Sequence, residues 1–236
     1  MNQRYLLALV FLTVSHFANA QFAKIIDKDG YVNVRKQTTV NSAVVSKIDT
    51  DEIVYAFPDE KLGNWVSIYY IDHQKEDITG YVHKSRIKLI ESYNEIRNTF
   101  FDSMGATFKS KDVTVEMKSD KFDYEKNKKY FSSTKYENYT VVDKFRGQHV
   151  WGTDGGIPIS HYTLIKAIIK GKEIQIPAKE IENLFNINYE FAACYYDDLN
   201  DVLYISGENG DGAGGYAVLF MIEKGKYKAR VVTIPF

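Results

Sequence analysis

From Lys24 onward the apolar residues of this chain alternate with polar ones in short runs, and turn residues break each run before a helical face can build up. Tyr31, Val32 and Val34 form one run; Val44, Val45 and Ile48 the next; then Ile53, Val54, Tyr55 and Phe57. Trp65, Val66, Ile68, Tyr70 and Ile71 follow, and Ile78, Tyr81 and Val82 close the series. Asp29-Gly30, Pro58-Asp59, Gly63-Asn64 and Gly80 stand between them. β-Branched and aromatic residues at period two, bounded by such turns, predict strands. Five or six short strands within residues 24–90 predict a small closed sheet, because closure removes edges that would otherwise pair with other chains. Cys194 is the single cysteine, so no intramolecular disulfide can form and the fold must hold by its apolar core.

The first twenty residues follow a different logic. Arg4 gives a positive start, residues 5–14 (YLLALVFLTV) are an apolar run, and Ala18-Asn19-Ala20 has the small-x-small form that leader peptidases read. This predicts a secretory signal over 1–20, a mature chain from Gln21, and a periplasmic or secreted location. The run covers about half of the ~20 residues that span a bilayer, and no later segment is longer and apolar, so no transmembrane span is expected after cleavage. The 30 Lys and Arg balance 31 Asp and Glu, and loss of Arg4 leaves 29 against 31. Such a balance excludes a large phosphate-binding surface, and nucleic acid is not an expected partner.

Residues 21–90 carry a further pattern. Val32-Asn33-Val34-Arg35 is followed by 42–48 (SAVVSKI), by 53–57, by Asn64-Trp65-Val66-Ser67-Ile68, by Gly80-Tyr81-Val82 and by Ser85-Arg86-Ile87. In order and spacing this resembles the bacterial SH3-like (SH3b) domains of exported cell-envelope proteins. It departs from them where Lys36-Gln37 replaces a Gly-Pro and Asp51-Glu52 replaces a Gly. The resemblance implies a small barrel that binds peptidoglycan stem peptides or a protein partner. Along 65–71, parity puts Val66, Ile68 and Tyr70 on one face and Trp65, Ser67 and Tyr69 on the other. With the aliphatic face in the core, Trp65 and Tyr69, together with Tyr81, are the expected contact residues.

Beyond the barrel, Ile90, Tyr93, Ile96, Phe100 and Phe101 recur at three-to-four spacing and predict a connector helix over 91–105. Residues 106–236 read as a larger antiparallel β-rich domain with one or two helices. Its strands are expected at 113–117, 139–145, 148–151, 162–169, 173–176, 202–205, 216–222 and 227–234. Gly171-Lys172 and Gly225-Lys226 fall where hairpin turns would, and Pro177 opens a helix to about residue 185. The fold class is therefore mainly β in two domains.

Two glycine-rich loops, 151–158 and 206–216, draw the remaining site readings. Gly210, Gly212 and Gly215 match a dinucleotide fingerprint in letter, but the loop runs into a strand and offers no helix N-terminus to a pyrophosphate. Asp154, Asp198, Asp201 and Asp211, with Glu208 and Asn209, are oxygen donors of the kind calcium takes, although Phe220 stands where the standard loop needs a bidentate Glu. The same residues are what tight turns use. For a cysteine peptidase, Cys194 would need a downstream His, and the last is His161. For zinc, His149 and His161 lack a nearby Cys partner. No cofactor is expected beyond that calcium set. The sequence thus points to a non-catalytic envelope-binding protein. Its alternatives are a cell-wall hydrolase centred on Asp154 and Asp211, and an inhibitor or immunity-type protein that binds a protein partner.

Overall fold

A computed structural model of the chain describes residues 20–138, 140–210 and 212–235. The expected signal, apart from Ala20, lies outside the described residues, as does Asp211. The strands in chain order are β1 (Gln21–Ile25), β2 (Tyr31–Arg35), β3 (Val44–Asp49), β4 (Ile53–Phe57), β5 (Trp65–Ile71), β6 (Asp77–His83) and β7 (Ile87–Leu89). Then come β8 (Asn94–Glu95), β9 (Arg97–Phe101), β10 (Gly105–Lys109), β11 (Val113–Lys121), β12 (Phe131–Lys135), β13 (Thr140–Phe145) and β14 (Gln148–His149). The last six are β15 (Ser160–Ile169), β16 (Lys172–Gln175), β17 (Ala193–Asp197), β18 (Val202–Asn209), β19 (Tyr216–Glu223) and β20 (Lys226–Thr233). The one α-helix described, α1 (Tyr124–Asn127), is a single turn. No helix among the described residues is long and apolar enough to cross a membrane.

The first sheet, in order β3-β2-β6-β5-β4-β1-β7, curls about its own core of Ala23, Ile25, Val34, Ile48, Val66, Ile68 and Val82. The ring expected from the sequence does not close, since β3 and β7 end the sheet and no ladder joins them. β7 has only three residues and leaves through the 3-10 turn Ile90–Ser92 toward the next sheet instead of turning back to β3.

The central sheet, β20-β19-β18-β17-β8, lies between the first sheet and a far sheet, β16-β15-β11-β10-β9. Parity along β18 and β19 sorts the contacts. Leu203, Ile205, Tyr216, Val218, Phe220 and Ile222 join Val115, Met117, Ile165 and Ala167 of the far sheet. Val202, Tyr204, Ala217, Leu219 and Met221 join Phe22, Ile53, Tyr55 and Ile90 of the first. A strand covered on both faces needs apolar side chains at every position, and β19 (YAVLFMIE) supplies them. A three-stranded sheet, β12-β13-β14, covers a smaller aromatic cluster of Phe122, Phe145 and Phe185.

Two expected helices are absent. Residues 91–105 form β8 and β9 after the 3-10 turn. Their apolar side chains serve two cores: Ile90 enters the core shared with the first sheet, where Tyr93 stacks on Tyr204 with ring centroids 5.3 Å apart, and Ile96 enters the far core. A spacing of three to four along a chain that crosses between layers imitates a helical face. After Pro177 only the 3-10 turn Ala178–Glu180 forms. Beyond it, Leu184 and Phe185 make isolated bridges to Trp151 and His161, so the backbone stays extended.

Candidate functional site

The outward face of β2, β6 and β5 carries the residues that the alternation of each strand turns away from the core. Val32 and Val34 are buried while Tyr31, Asn33 and Arg35 face out; Val66, Ile68 and Tyr70 are buried while Trp65, Ser67 and Tyr69 are partly exposed. The registers Trp65↔His83, Ser67↔Tyr81 and Arg35↔Tyr81 put Tyr81 and His83 on that face as well.

Trp65 lines a groove of about 350 Å³ with Tyr31, Asn33, Arg35, Val40 and His83. The Trp65 and His83 rings meet edge to face at 5.6 Å. His83 Nδ1 accepts the Ser85 N–H at 3.3 Å and lies 2.8 Å from Ser85 Oγ, which leaves Nε2 to carry the proton of the neutral ring. The wall is fixed by Asp27, which is 7% exposed and takes Arg86 Nη1 on both oxygens at 2.8 Å. Arg35 donates through Nη1 to the Ser42 carbonyl at 2.8 Å, so its guanidinium is oriented before any ligand arrives. The groove thus offers aromatic walls beside both signs of charge, with Asp29, Arg35 and Arg86 all in its lining.

The three contact residues expected from sequence share a face but not a pocket. Trp65 lines the groove; Tyr81 sits across from Ser67 between the other two; Tyr69 lines a separate depression where the first sheet meets β20. There its hydroxyl donates to Asp77 Oδ1 at 2.7 Å, and burial, followed by Asp77, pushes its pKa up to about 12. Tyr31, Asn33, Arg35 and the Asp27–Arg86 pair were not anticipated. The alternation of YVNVR marks the first three as outward, but only the β2–β6 pairing shows that they stand beside Trp65.

The glycine loops have a packing role. A Cβ on Gly152 would lie 2.2 Å from the Phe185 carbonyl oxygen, and one on Gly214 would lie 2.4 Å from the Thr153 carbonyl carbon. The two loops therefore touch backbone to backbone, and only glycine permits it. Buried Asn209 ties them to the core, accepting the Asn188 N–H at 2.8 Å and donating to the Tyr162 hydroxyl at 3.3 Å. Of the expected oxygen donors, those among the described residues do not converge. Asp154 is exposed; Asp198 accepts from Asn94; Asp201 accepts from Tyr196 and from Lys170 Nζ at 3.1 Å. Asp197, in the same turn, accepts the Leu199 N–H and Asn200 Nδ2. Among the described residues no three His, Cys, Asp or Glu side chains gather where a cation could be held. Cys194 is fully buried, and burial raises its thiol pKa well above the usual range, so it stays protonated and unreactive.

Compared with protein-family models, with curated proteins and with solved structures, the chain matches none.

Proposed function

We propose that the protein is exported and acts by binding at the cell envelope, with the first sheet serving as an SH3-like module that takes a peptide of peptidoglycan or a protein segment. The observation that carries this reading is the Trp65 groove. A peptide bearing both amino and carboxyl groups needs acceptors and donors side by side, together with flat apolar walls that order few rotamers on binding. Asp29, Arg35 and Arg86 supply the former, and Trp65 and Tyr31 the latter. No catalytic step is assigned. The buried thiol and the dispersal of Asp154, Asp198 and Asp201 favour binding over hydrolysis centred on the glycine loops.

Sedimentation of the chain with insoluble peptidoglycan tests the proposal, with the supernatant assayed for released fragments. Co-sedimentation without release is expected, with Trp65→Ala weakening it about tenfold, as for loss of an aromatic anchor. Tyr69→Phe, whose site lies elsewhere, is expected to change it little. Retention of full binding by Trp65→Ala sinks the groove as the site. Absence of any binding to the wall leaves a protein partner, which a pull-down with the same variant would then have to identify through a Trp65-dependent band.

A further inference from the structure

A cleft of about 850 Å³ opens where β1 and β4 meet β17 and β18. Its charged lining is of one sign. Glu91, Glu190 and Glu208 face it, no Lys, Arg or His does, and Tyr55 and Tyr195 are its other titratable groups. None of the three carboxylates has an ion-pair partner among the described residues.

Ala20 lines the same cleft. Its carbonyl oxygen lies 3.1 Å from the Tyr55 hydroxyl, which in turn lies 3.3 Å from Glu208 Oε1. Both oxygens are acceptors for one hydroxyl proton. The ladder begins at the next residue, with Gln21 opposite Ala56 and Phe22 opposite Tyr55. The Ala20–Gln21 bond is therefore held by the sheet beside an uncompensated carboxylate.

We propose that this cleft receives the chain's own new amino terminus: after the leader is cut at Ala20, the Gln21 ammonium docks beside Glu208 and Tyr55. This rests on the export reading above. In the cut, the oxygen of a water molecule bonds to the Ala20 carbonyl carbon and the C–N bond to Gln21 breaks. Proton redistribution then leaves a carboxylate on the leader and an ammonium on Gln21; the catalyst is a leader peptidase of the host. Charge appears on both products at a place where the uncut chain had none. Three carboxylates repel the first product and attract the second, so the cleft separates them by sign. Because Gln21 is already registered in β1, holding its ammonium orders little additional chain.

The ordinary α-amino pKa is about 7.7–8.0, and neighbouring carboxylates raise it. The docking stabilisation is thus complete below that range and is lost as pH climbs through the raised value. Glu208 is exposed, so the effect is modest and screened by salt.

The test uses the chain starting at Gln21, made by scarless removal of a fusion partner, and a twin acetylated on that nitrogen, each as wild type and as Glu208→Gln. The free-amine chain is expected to melt about 1–3 °C above its twin near neutral pH in low salt. The gap should close at about pH 10 and in high salt. It should at least halve in Glu208→Gln, and competitive labelling should give a higher amine pKa in wild type than in that variant. A gap that is absent, or that Glu208→Gln leaves unchanged, overturns the docking. So does a Gln21 found cyclised with loss of ammonia, which carries no ammonium. N-terminal sequencing of the chain recovered from an exporting host tests the reading beneath. A start other than Gln21 removes the export step at this bond, whatever the melting comparison shows.

Discussion

Asp27 is nearly sealed from solvent, yet its carboxylate is fully engaged. Both oxygens take Arg86 Nη1 at 2.8 Å, and Oδ1 also accepts the Asp29 N–H at 2.9 Å. Removing one partner of such a pair leaves the other's hydrogen bonds unmade. Asp27→Ala is therefore expected to cost about 2–4 kcal/mol in a denaturant titration, discounted toward the lower figure because Arg86 is 39% exposed. The same variant should weaken any ligand of the groove that it walls. At this scale the sequence was partly legible. Parity in WVSIYYI separates Val66, Ile68 and Tyr70 from Trp65, Ser67 and Tyr69, and burial follows that division. Asp27 and Arg86 are 59 positions apart, and nothing in their local patterns couples them.

Among the elements, β19 sends side chains into the cores on both faces of its sheet. Leu219 faces the first sheet and Phe220 the far sheet, both with no exposure. Alanine at either is expected to cost about 3–5 kcal/mol, measured as a fall in unfolding free energy. Of the two, only Leu219→Ala should speed hydrogen exchange in β1 and β4. The unbroken apolar run of β19 was legible as a strand, and its lack of alternation was the one available sign of burial on both faces. The residues at 90, 93 and 96 misled for the converse reason: two cores on opposite faces of the central sheet drew them apart, while their spacing matched one helical face. Hairpins were read more closely. Lys170-Gly171 and Lys224-Gly225 hold the two positive-φ positions between paired strands, one residue earlier than expected for the turn centres. Since a lysine is strained there and Asn-Gly is favoured in such turns, Lys224→Asn should raise stability by about 0.5–1 kcal/mol in the same assay.

The whole molecule is threaded with buried phenols. Tyr93 and Tyr189 are pushed up to about 12, chiefly by burial, and Tyr55, Tyr162, Tyr204 and Tyr216 are held higher still for the same first reason. A phenol whose folded pKa exceeds its unfolded value of about 10 contributes stability in full below that value and loses it as pH rises through the folded pKa. Tyrosinate absorbance is therefore expected to rise in one steep step between about pH 10 and 12, together with loss of β circular dichroism. A gradual rise centred on the ordinary phenol pKa, with the fold intact, would contradict the packing of all three layers.

The core shared by Phe22 and Tyr55 with Leu219 and Met221 joins the beginning of the chain to its end. Time enters the fold at that contact. As the chain is made, the first sheet emerges with the outer side of β1 and β4 uncovered, and its cover is among the last strands to arrive. Loop closure over such a separation is slow, and an apolar sheet face left open in the interval is what chaperones bind and what aggregates grow from. The protein is thus most vulnerable while incomplete, and a chain stopped short of β18 would carry that vulnerability permanently.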